Sequence, residues 1–166
     1  TGAALAGRQR YVLLIVGLYS LAIVSYFFID NIFYAQAQLQ YADANQLAGF
    51  IGVFYAVVGI VWVLTNVFVI GTLFRRYGLR ASLIVAPAAL ALSALAIVLA
   101  GSLGAALVIV FWLAALSKLL SRLSFDGLVK MSLNILYQPL PPVQRVRVQT
   151  INEGVIYAGA VGLTGL

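Results

Sequence analysis

The sequence predicts an all-α fold, a polytopic transmembrane helical bundle of about five spans, and three observations carry that prediction. Long apolar runs recur along the chain, and the roughly 20 residues that cross about 30 Å of hydrocarbon fit in each. Composition agrees. Hydrophobic residues are 64% and charged residues 8% of the 166, and mean hydropathy is +1.08, whereas a soluble domain is about one-quarter charged. The basic residues between the runs fall in alternate connections, the pattern left by a chain whose positive loops stay on one side.

The first span is read at residues 11–34, apolar until Asp30 and Asn31. Gln36, Gln38, Gln40, Asp43, Asn45 and Gln46 then form a loop or interfacial extension. Arg8 and Arg10 before the run resemble the start of a signal peptide, but the run is too long and no small-residue cleavage site follows, so it reads as a retained span. The second span, 47–74, places Gly49, Gly52, Ala56 and Gly59 on a repeated helical spacing, which would allow a neighbouring helix to approach closely. Arg75 to Arg80 make a tight basic loop with Gly78 as the helix-ending residue. A third span at 81–99 tolerates Pro87, because neighbouring helices can satisfy the freed carbonyl. After the uncharged turn at 100–104, the fourth span, 105–137, runs unbroken to Pro139, Pro141 and Pro142, which stop it. At roughly 30 residues it should tilt or project beyond the bilayer. Arg145 and Arg147 precede a fifth span at 148–166, interrupted by Asn152 and Glu153.

Arg8 and Arg10, then Arg75, Arg76 and Arg80, then Arg145 and Arg147 lie in alternate connections, and the other two connections hold only Asp43. The N-terminus is therefore expected in the cytoplasm, and the whole chain in the membrane as one domain. Five spans leave the C-terminus on the opposite face, the natural finish for a piece of a longer bundle. Most of the net charge of +6 is topological on this reading. Lipid is the expected surrounding partner, and no nucleic-acid partner is expected.

The chain has no cysteine and no histidine. Disulfides, thiolate sites, the commonest haem and zinc ligand and the usual general base are thereby excluded. No enzyme, metal or cofactor is expected; transport or a structural role in the membrane remains. The residues that could serve transport are on the fourth span. Lys118, Arg122, Asp126 and Lys130 follow one another at intervals of four and share a face. An isolated cation near the bilayer midplane costs at least about 2.5–3.5 kcal/mol, so these side chains cannot face lipid. Two readings stay open. The stripe lines a hydrated cavity and holds an anionic small molecule, Arg122 offering its bidentate fork and Lys118 a point charge. Alternatively it is an internal ion-pair ladder with Lys130 reaching the interface. Glu153, two turns into the fifth span, is expected to pair with Lys118 or Arg122, and Asp30 to mark an interfacial helix end. The candidate substrate-binding set is thus Lys118, Arg122, Asp126 and Glu153.

The loop Gly71-x-x-x-Arg75-Arg76-x-Gly78-x-Arg80 resembles the signature loop of the major facilitator superfamily, Gly-x-x-x-Asp-Arg-x-Gly-Arg-Arg, with Arg75 in place of the acid and Leu79 in place of a basic residue. The resemblance implies a cytoplasmic latch between transporter halves, carried by Gly71, Arg76, Gly78 and Arg80. Tyr26-x-x-Ile29-Asp30, the stretch from Ala42 to Phe54, and Leu136-Tyr137-Gln138-Pro139-Leu140-Pro141 followed by Arg145 look like the ATP/ADP translocase-type branch. That likeness implies most of one six-helix half of a nucleotide-exchange transporter in a bacterial inner membrane, working by alternating access. It would be completed by the remaining half of the same transporter or by another membrane subunit. The rival expectation is a transporter-derived scaffold subunit of a larger membrane complex.

Overall fold

A computed structural model describes residues 2–165, and the backbone alone of residues 2–8, 79–82 and 86. Helix α1 (Gly2–Gln40) is followed by α2 (Ala44–Leu64), which passes without a break through a π-helical turn (Thr65–Ile70) into α3 (Gly71–Ser102). Helix α4 (Leu107–Arg122), a second π turn (Leu123–Val129) and α5 (Lys130–Tyr137) form one rod. Helix α6 (Pro142–Thr150), a third π turn (Ile151–Ile156) and α7 (Tyr157–Thr164) form the last. Four stretches are long and apolar enough to cross a membrane: Gln9–Gln40, Ala44–Gly78, Leu83–Ser102 and Leu107–Tyr137. The rod from Pro142 is helical throughout but is not among them, because Arg145, Arg147, Asn152 and Glu153 dilute its apolar residues.

The ends of these helices follow from their sequence. Asp43 caps α2 by accepting a hydrogen bond from the Asn45 amide. Gly104 adopts φ 69° and closes α3, with Gly104 N–H donating to Gly101 O at 3.2 Å and Ala105 N–H to Ala100 O at 3.0 Å, the paired bonds of a Schellman ending. Pro139, Pro141 and Pro142 cannot donate, and the carbonyls they strand are met by Arg145. Its guanidinium donates to Tyr137 O at 3.1 Å and to Gln138 O at 3.0 Å. Gly78 takes φ 71° and ψ −175°, a conformation open essentially to glycine alone. The expected loop at 75–80 is reduced to this one-residue kink, with helix on either side.

The core lies between α1 and the α4–α5 rod. Ile15, Tyr19, Ile23, Tyr26, Ile29, Phe33 and Ala37 form one buried face of α1 at helical spacing. Phe111, Ala114, Phe125, Val129 and Leu133 are buried on the α4–α5 rod. An aromatic cluster fastens α2 to both, with Phe33 and Phe54 stacked at 4.7 Å and Phe50 and Phe111 at 5.2 Å between ring centroids. The glycine stripe of α2 is not the packing surface the sequence suggested: a side chain added at Gly49, Gly52 or Gly59 would meet no atom within 4 Å. Close approach occurs instead at Gly127, where an added Cβ would collide with Cδ1 of Ile70, so the first two π turns interlock.

Candidate functional site

The four-residue ladder of α4 and α5 is built as the spacing predicts, with Asp126 between Arg122 and Lys130, and only the partner of Lys118 departs from expectation. Asp126 sits in the π turn and accepts from Arg122 Nε at 2.7 Å and from Lys130 Nζ at 2.6 Å. One carboxylate thus neutralises one of two cations. Lys118 does not join this group. It is 1% exposed and ion-paired with Asp30 of α1.

Tyr26 joins the two charge groups. Its hydroxyl accepts a hydrogen bond from Arg122 Nη1 at 2.9 Å, and its ring centroid lies 4.8 Å from Lys118 Nζ. The ring centroid of Tyr55 lies 5.9 Å from the same ammonium, and its hydroxyl is 2.8 Å from that of Tyr34. Two aromatic faces and a carboxylate therefore stabilise a cation that lipid could not. Three cations here face two carboxylates, a surplus of one positive charge.

Exposure divides the cations by role. Lys118 is sealed, whereas the Arg122 and Lys130 side chains are 45% and 57% exposed.

Two expectations are corrected. Glu153 pairs with neither Lys118 nor Arg122, because Asp30 and Asp126 already occupy them; it is exposed and, among the described residues, makes no ion pair. Asp30 is not a helix end, because α1 continues through the glutamines to Gln40 and leaves Asp30 inside the span Gln9–Gln40. Glu153 lies instead on a cavity of about 500 Å³ shared by α1, α5 and the last rod, with Lys130 on its wall. Beside it Asn152, fully buried, donates to the Tyr137 hydroxyl at 2.7 Å. The roles of Tyr26 and Tyr55 were missed, and only the cation-rich span opposite them hinted at a need for ring faces.

The four residues of the 71–80 motif lie at and beside the kink. Gly71 begins α3, Arg76 is exposed and Gly78 is the kink itself; the side chain of Arg80 lies outside the described residues.

The family model described as TLC ATP/ADP transporter matches residues 4–125. The matched stretch holds Tyr26, Asp30, Tyr55, Lys118 and Arg122, and stops one residue short of Asp126. No curated protein and no solved structure matches the chain.

Proposed function

This chain belongs to the TLC ATP/ADP transporter family, and from that premise we propose that it carries a nucleotide-like organic anion across a membrane by alternating access, as one half of a two-part bundle of the major-facilitator kind. The observation that carries the reading is the uneven exposure of the ladder: Lys118 is sealed with Asp30, while Arg122 and Lys130 share Asp126 and remain half exposed. The ladder segment from Arg122 to Lys130 thus has a net positive charge at a face where phosphate oxygens could displace Asp126. Arg122 is the principal anion ligand and Lys130 the second. Asp126 holds both in place while the site is empty.

Lys118 serves the frame in this reading. Its pair with Asp30 ties α1 to α4, so anion binding at Arg122, one turn away and bonded to Tyr26, bears on the same junction. The second half of the transporter, or another membrane subunit, closes the opposite wall, and the two parts rock about the site. Membrane-potential and substrate gradients are then felt at one basic stripe.

The basic residues of alternate connections support a cytoplasmic N-terminus. Cysteines placed at Arg80 and Gly101 are expected to label from opposite faces, and labelling of both from one face retires that orientation. The function itself is tested by reconstituting this chain together with the part that closes its site into liposomes and following exchange of labelled ATP against internal ADP. Exchange that falls more than tenfold in Arg122→Ala is the expected result. Wild-type liposomes that neither bind nor exchange nucleotide remove the reading.

A further inference from the structure

We propose that the cavity beside the ladder receives the base and sugar of the nucleotide whose phosphates lie on Arg122 and Lys130. The inference rests on the transport reading above and assigns a second half to the same site. The cavity, about 500 Å³, lies where α1, the rod of α4 and α5, and the last rod meet. That is within the range of pockets that enclose small organic ligands.

Its lining is divided by chemistry. Tyr19, Phe125 and Tyr157 place aromatic side chains on its wall from α1, the α4–α5 rod and the last rod, the first two buried and Tyr157 open. Tyr157 is 45% exposed and held edge-on by Phe27 at 5.4 Å, so its ring is positioned but still available. Stacking on such rings accepts any base, because every base has a π face. Asn134 adds an amide that both donates and accepts.

Glu153 gives the cavity its direction. Its carboxylate can only accept, it makes no ion pair among the described residues, and it therefore asks for a hydroxyl or an amino group and repels phosphate. A ribose diol or an exocyclic amine satisfies it; an inorganic oxyanion does not.

Lys130 joins the two regions. Its ammonium is on the cavity wall, 5.5 Å from the Phe125 ring centroid, and is bonded to Asp126 of the ladder. An aromatic, hydroxyl-seeking end and a cationic end are thus adjacent, which is the polarity of a nucleotide. The second large cavity, about 520 Å³ between α1 and α3, is lined almost wholly by apolar side chains such as Phe28 and Leu90 and offers no such division.

The test compares binding of ATP, adenosine and inorganic tripolyphosphate to the detergent-purified protein. Tyr157→Ala is expected to weaken ATP and adenosine alike, by about tenfold for the lost stacking face, and to leave tripolyphosphate unchanged; Glu153→Gln is expected to weaken adenosine and not to weaken tripolyphosphate, since it removes a charge that repels phosphate. Arg122→Ala is expected to weaken ATP and tripolyphosphate and to spare adenosine. Should Tyr157→Ala lose its wild-type melting temperature, Tyr157→Leu, which keeps bulk without the ring, replaces it. Nucleotide binding that is intact in wild type and untouched by the Tyr157 and Glu153 variants overturns the base site and leaves the transport reading standing. Equal loss of tripolyphosphate in the Tyr157 variant also overturns it, since the residue would then act on the whole site. A wild-type protein that binds tripolyphosphate but neither ATP nor adenosine overturns it as well.

Discussion

The rod of α4 and α5 and the helix α2 are both long enough to cross a membrane, yet they are used in opposite ways. The α4–α5 rod is the least apolar of the four spans and the most buried, with 44% of its best spanning stretch inside the molecule against 6% for α2. In water the order would be reversed. In lipid the apolar surface has nothing to gain by leaving its surroundings, whereas Lys118, paired with Asp30 in the interior, has everything to lose by staying in them. Burial is therefore assigned to the helix with polar groups to hide, and α2, with its aromatic edge alone engaged, is left to face outward.

The strongest way to break this contrast is to unpair the buried charge. Asp30→Asn leaves Lys118 as a cation 1% exposed with rings but no carboxylate. Removing one partner of a buried pair costs about 3–5 kcal/mol, and unfolding in detergent is expected to show a loss on that scale. The double variant Asp30→Asn with Lys118→Met is expected to regain most of it, because replacing both partners removes the orphaned charge. A single variant as stable as the wild type would mean that the pair is hydrated, and that the sealed role given to Lys118 is wrong.

The next test sets two glycines against each other. Gly127→Ala drives a Cβ into Ile70 across the junction of two π turns, and overpacking of that kind costs about 1–3 kcal/mol. Gly52→Ala places the same methyl in open space on α2, where the gain in helix propensity is up to about 1 kcal/mol. Melting temperatures should move in opposite directions. Movement in the same direction would show that the α2 face is covered in the membrane.

What the sequence made legible follows from the same contrast. Hydropathy is a property of one helix at a time, so the four long spans, the turn at 100–104 and the proline stop after Tyr137 were readable. So was the four-residue ladder from Lys118 to Lys130. Which faces meet is not a property of one helix. Asp30 lies 88 positions from Lys118, and nothing near either residue in sequence names the other. The glycine stripe of α2 satisfied every local rule for packing and stands open, while the single Gly127 that does pack sits among bulkier residues and carries no periodic signal. The π turns escaped for a similar reason: the extra residue they insert shifts the register of Asp126 and Gly127 without altering composition.

A smaller effect is expected at the end of the rod. Arg145→Ala frees the Gln138 carbonyl that the prolines leave stranded, while Tyr137 O keeps the Leu140 N–H at 3.1 Å. Bonds from a charged donor contribute about 1.5–3 kcal/mol when the groups are enclosed. Gln138 is exposed, so a loss nearer 1 kcal/mol is expected, read as earlier hydrogen exchange at residues 133–138. Thr72, whose hydroxyl donates to Phe68 O within its own helix, supplies the outward-facing control: Thr72→Ala is expected within ±0.5 kcal/mol.

The least change in stability and the greatest in binding are expected together at Arg122. Its side chain is 45% exposed, and ion pairs that reach solvent contribute about 0–1 kcal/mol after screening. Asp126 keeps Lys130 when Arg122 is removed, so no carboxylate is stranded. Arg122→Ala should therefore melt within a few degrees of the wild type while losing more than tenfold in affinity for ATP. An ion-pair ladder with no ligand predicts the same small change in melting temperature, since Asp126 keeps Lys130 in either case, but no change in ATP affinity. Melting temperature and ATP affinity measured together for Arg122→Ala therefore separate the cases: the first shows that the fold is intact, and the second shows whether the exposed cation is used by a ligand.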